Sequence, residues 1–118
     1  MKKEQDVNKF RNLIPQRITV KVERNKDEKG IWAKILDLPH CYTQTLDVSE
    51  LPSMITDLVL THFEVPEKFK KELGQYVPVS ATHLKLEEMF RRLITIGEKT
   101  EEGKEVKEVF QRIEAVPV

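Results

Sequence analysis

The chain has 118 residues, 20 of them basic and 20 acidic, so its formal net charge at pH 7 is zero. A charged fraction of 34% against a hydrophobic fraction of 39% describes a polar globular chain of one-domain length, and the balance of signs gives no overall case for a nucleic-acid or membrane surface. The single cysteine, Cys41, excludes an intrachain disulfide, and no apolar run is long enough for a signal peptide or a membrane-spanning helix, so the expected location is the cytoplasm.

Residues 1–16 read as an N-terminal extension. It is either a short helix with Val7, Phe10 and Ile14 on one side, stopped by Pro15, or a frayed tail. Ile18, Val20 and Val22 alternate with polar residues and predict a strand with one buried face. The charged run 24–30 is a hairpin loop ending in Gly30. A second strand follows, about 31–36, with Ile31, Ala33 and Ile35 on one face and Trp32 and Lys34 on the other. Pro39 ends it, and a third strand covers about 41–46.

Ser49 is the expected N-cap of a helix with Leu51, Ile55, Leu58 and His62 along its stripe. That helix ends before Pro66, which opens a second short helix pairing Phe69 with Leu73 and stopped by Gly74. The expected core comprises Ile18, Val20, Ala33, Ile35, Leu51, Ile55 and Leu58. Residues 75–79 look extended, but Pro78 limits them to an edge strand. Ser80 or Thr82 caps a third helix carrying Leu86, Met89, Phe90, Leu93 and Ile94 and ended by Gly97. A last helix over about 100–115 places Val106, Val109, Phe110 and Ile113 at helical spacing, as a packing or dimerisation element.

Catalytic machinery is not legible. His40, His62 and His83 are scattered and no Cys-x-x-Cys exists, which argues against zinc. His40 and Cys41 are adjacent on a strand and point to opposite faces, so Cys41 reads as a small core residue rather than a nucleophile. Glu23, Asp37 and Asp47 sit at strand ends and read as solvated acids rather than a metal pocket. Arg91 and Arg92 sit near Glu87 and Glu88 and read as a solvated helix face. No nucleotide-binding loop is present, so no cofactor and no enzymatic activity are expected. Trp32, Tyr42 and Gln44 fall on the sheet face that the first helix does not cover. They read equally as interface anchors or as a surface covered by the later helices.

Leu38-Pro39-His40-Cys41-Tyr42-Thr43-Gln44, followed by Thr45-Leu46-Asp47-Val48-Ser49-Glu50, resembles the Leu-Pro-Gly-Cys-x-Thr-Gln-Gly-like corner and helix start of HicB-family antitoxins. Residues 17–65 match that family's order of strand, charged hairpin, strand, corner and helix. His40 and Thr45 stand where the pattern usually has glycines, and Leu51-Pro52 replaces its small helix start.

The resemblance implies an α+β fold. A three-stranded antiparallel sheet, with residues 75–79 as a fourth edge strand at most, is covered by a helix and followed by further C-terminal helices. Residues 17–74 form the HicB-like β-β-β-α unit, and residues 75–118 a C-terminal strand/helix-helix extension. It also implies a non-enzymatic domain that binds and blocks a small HicA-type ribonuclease toxin; strand alternation makes Trp32, Tyr42 and Gln44 the expected partner-binding residues for such a small basic protein. The alternative is a dimeric DNA-binding regulator whose residues 75–118 form a ribbon-helix-helix. Pro78 in the ribbon and Glu101-Glu102 at a helix start weigh against that alternative.

Overall fold

The computed structural model describes residues 2–24, 30–79 and 86–114. Its elements in chain order are α1 (Lys2–Leu13), β1 (Arg17–Arg24), β2 (Ile31–Ile35), β3 (Tyr42–Thr45), α2 (Leu51–His62), α3 (Glu67–Lys70), β4 (Gln75–Pro78), α4 (Leu86–Glu101) and β5 (Val106–Ile113). The five strands form one antiparallel sheet in the order β3-β2-β1-β5-β4. The class is α+β as expected, but the sheet has five strands rather than three.

The first half follows from alternation. Ile18, Val20 and Val22 on β1 and Ile31, Ala33 and Ile35 on β2 are buried together on one face, here called the inner face. The helix α2 lays Leu51, Pro52, Ile55, Val59 and Leu60 against that face. Pro52 is tolerated because the first helical turn has no use for its N–H. Two local expectations are corrected. Leu58 is only half-buried beside the core, because the inward stripe runs 51, 55, 59 and leaves position 58 on its flank. Ser49 is not the cap: Asp47 caps a 3-10 turn over Val48–Glu50 by accepting from the Ser49 N–H, and that turn leads into α2.

The N-terminal segment is a helix, and Val7 and Ile14 reach the same core. Phe10 stacks near Phe69 of the single-turn helix α3, and both Phe69 and Leu73 are buried. The Tyr76 hydroxyl donates to the Pro15 carbonyl. Burial pushes this phenol up to about 12. The helix α4 runs past Gly97 to Glu101 and buries Leu93, Ile96 and Thr100, so Gly97 is not its end. A Cβ at Gly97 would meet Val48 at 3.4 Å, and Gly103, at φ +81°, lies just beyond the helix. Phe90 and Ile94, expected in the stripe, are exposed. The expected caps Ser80 and Thr82, and His83, lie outside the described residues.

The main correction is β5. Residues expected as a last helix form an eight-residue strand between β1 and β4, registered as Ile18↔Phe110 and Pro78↔Phe110. Period 2 therefore wins over period 3.6. Val106 and Phe110 point inward, but so do Glu108 and Arg112, while Val109 is left exposed outside. Inward charges are stable only if paired. The Arg92 Nε lies 2.8 Å from Glu108 Oε2, and Arg112 donates to the Leu73 carbonyl at 2.9 Å and to Gln16 Oε1 at 3.3 Å. The strand also covers the β1 edge, which would otherwise be unpaired. With residues 106–113 in the sheet, no ribbon-helix-helix can be built from residues 75–118.

Candidate functional site

The outer face of the sheet carries the residues expected to bind a partner. Register places Trp32 opposite Gln44 and Lys34 opposite Tyr42. Their strand neighbours Ala33 and Ile35 are buried inside, so alternation turns Trp32, Lys34, Tyr42 and Gln44 outward together. The rings of Trp32 and Tyr42 are 6.0 Å apart and tilted by 42°, within the range of favourable aromatic pairs. Trp32 is half-buried and Tyr42 is 58% exposed.

Around these rings the outer face is basic. Lys107 on β5 lies opposite Lys21 on β1, and Lys21 lies opposite Lys34 on β2. The three lysines form one row across the sheet, ending at Tyr42. Arg17 lies on the same face of β1, by alternation with buried Ile18. Glu23 is the acid beside the row, with a carboxylate oxygen 3.8 Å from Lys21 Nζ. A cleft of about 150 Å³ opens here, lined by Lys21, Glu23, Trp32, Ala33, Lys34 and Tyr42.

The β3 side has the opposite sign. From residue 35 to 67 the chain has no Lys or Arg but carries Asp37, Asp47, Glu50, Asp57, Glu64 and Glu67. This segment contains the edge strand β3 and the helix α2 beside it. Leu46, at the end of β3, is 79% exposed. A second cleft lies between β3 and α2, lined by Thr43, Ser53, Met54, Asp57, Leu58 and Thr61. The other edge strand, β4, differs: Tyr76, Val77 and Pro78 are all buried, and Pro78 offers no N–H.

The corner before β3 turns without a glycine. His40 is held at φ +59°, a left-handed conformation that strains a side chain. Thr45 needs no such conformation. It is a buried strand residue whose hydroxyl donates to Glu50 Oε2 at 3.0 Å and accepts from the Asp47 N–H at 3.2 Å, fixing the turn into α2.

The candidate chemical groups are placed apart. Asp37 accepts from the Thr19 N–H, and Asp47 serves as the cap described above. Hydrogen bonds from Ser49 hold the Asp47 carboxyl below the usual carboxylate range. Among the described residues no three His, Cys, Asp or Glu side chains are grouped to hold a metal. Cys41 is buried, as expected, but its partner is His62, with Sγ 3.3 Å from Nδ1. Sequence reasoning missed this pair because 21 residues separate its members; the only cue was the shared position of both residues beside the α2–β3 packing. Burial pushes the Cys41 thiol up, whereas an activated nucleophile needs it lowered. Arg92 is engaged by Glu108, and Arg91 remains exposed. No helix among the described residues is long and apolar enough to cross a membrane. No family model, curated protein or solved structure matches the chain.

Proposed function

We propose that the protein is a non-enzymatic binding module that holds a small basic protein against the β3 edge and the adjoining side of α2, as an antitoxin holds its toxin. The observation that carries this reading is the pairing of an edge strand with a segment, residues 35–67, that has acids and no Lys or Arg, although Lys70 reaches two of those acids, Asp57 and Glu67. The edge strand β3 pairs with β2 on one side only, which makes its other side the place for strand addition, and Leu46 offers an apolar anchor beside it. The acids between residues 35 and 67 attract a basic partner and speed its encounter. The resemblance of residues 17–65 to HicB-family antitoxins points to a HicA-type ribonuclease as that partner. The residues first expected to make the contact, Trp32, Tyr42 and Gln44, face the basic outer surface, so a basic partner is better served by the edge.

The test is to mix the purified protein with the small basic product of a neighbouring reading frame and measure binding by calorimetry. Submicromolar binding and suppression of that partner's ribonuclease activity are expected. Leu46→Arg, at an exposed position, is expected to weaken binding by more than tenfold without changing thermal stability, while Lys34→Glu does not weaken it. Absence of a complex, or unchanged affinity of Leu46→Arg, overturns the reading.

A further inference from the structure

We infer that the outer face of the sheet is a second site, one that binds single-stranded nucleic acid. Lys107, Lys21 and Lys34 take backbone phosphates, and the cleft beside Trp32 and Tyr42 takes a base. This inference does not depend on the β3-edge reading, since it uses another surface.

The first argument is energetic. Like charges directly opposite in neighbouring strands destabilise a sheet. Here two such pairs, Lys107↔Lys21 and Lys21↔Lys34, share a central lysine, and Glu23 is the acid beside them. An anion laid along the row removes that repulsion. The second argument is geometric. Three neighbouring strands set the lysines along about 10 Å. A point anion is met by one or two ammonium groups, whereas an extended phosphate chain meets all three. The row ends at Tyr42, where phosphate contacts give way to a ring.

The third argument is the cleft. Its volume of about 150 Å³ suits one planar ring and is too small for a whole drug-sized ligand. Aromatic side chains flanked by lysines provide stacking for a base next to charge for its phosphate, the combination that single-strand binders use. A duplex keeps its bases stacked inside, so it would meet the lysines and leave the cleft unused. An acidic polypeptide would likewise meet the lysines alone.

The experiment exploits Trp32, the only tryptophan in the chain and a wall of the cleft. The full-length protein is titrated with ten-nucleotide single strands of mixed sequence, one RNA and one DNA, and tryptophan fluorescence is followed. Quenching with micromolar affinity is expected for at least one of the two sugars. The affinity should fall with salt at a log–log slope of about −2, for three phosphate contacts at about −0.7 each. Lys34→Glu is expected to weaken binding more than tenfold. Tyr42→Ala should weaken it by about five-fold or more, as loss of a stacking platform does. Both positions are exposed, so both variants should retain the native circular dichroism spectrum. Lys71→Glu, an exposed position outside this face, should bind as the parent does. No quenching at 100 µM strand in 50 mM salt overturns the inference. So does parental affinity in Lys34→Glu, equal affinity for a duplex of the same length, or equal competition by polyglutamate of the same charge.

Discussion

The two faces of the sheet are written on the same strands and obey opposite rules. On the inner face, polar groups are few and each strand charge is answered. Glu108 meets Arg92 from α4, and Arg112 meets the Leu73 carbonyl and Gln16. On the outer face, like charges stand opposite like across three strands. Alternation alone sends a residue to one face or the other. The environment then decides what each face tolerates: burial demands pairing, and water screens repulsion. A face that sets three lysines in a row beside a single acid, while the charges of its reverse are met by ion pairs and hydrogen bonds, is arranged for something other than stability.

The largest effect that separates the faces lies on neighbouring residues of β5. Phe110→Ala is expected to cost about 3–5 kcal/mol because the side chain is fully buried, and Val109→Ala under about 1 kcal/mol because it is exposed. Urea unfolding measures both. Similar losses at the two positions would fit a helical stripe and contradict the strand. Next is the inward charge pair. Arg92→Leu leaves Glu108 buried without its cation and should cost about 2–4 kcal/mol. Adding Glu108→Leu to the same chain should recover most of that loss. No recovery in the double variant would mean that Arg92 matters for packing, not charge. The smallest effect has the opposite sign. Lys34→Thr is expected to stabilise by about 0.2–0.5 kcal/mol by removing one like-charge pair, and the gain should shrink in 1 M salt. A loss of stability at low salt would show that the lysine row is not strained.

How much of this was legible follows the range of the forces involved. The strands β1 to β3 and the helix α2 are written locally, in alternation, a Leu-Pro corner and an apolar stripe, and their order is legible in the sequence. The strand β5 was not. Val106, Val109, Phe110 and Ile113 suit a helix by spacing and a strand by their branched and aromatic side chains. What settles the choice is distant: the free edge of β1, and partners for Glu108 and Arg112 supplied by residues 92, 73 and 16. The outward placement of Trp32, Tyr42 and Gln44 was legible, but their electrostatic surroundings were not. Lys21, Lys34 and Lys107 become neighbours only through strand register. Regional net charge, about −2 for residues 17–65, blends this basic face with the acidic edge beside it.

The place of β5 also bears on how the chain comes to be folded. During synthesis β1 emerges before its partner on one side, β5, which is the last strand of the sheet to be made. The register Ile18↔Phe110 closes a loop from residue 18 to residue 110, so the central pairing waits until residue 110 has left the ribosome. Until then β1, β2 and β3 form a partial sheet with two open edges and an apolar face only partly covered. A nascent chain in that state is a substrate for chaperones and for unwanted strand pairing, and a ribosome stalled before residue 106 would hold it there.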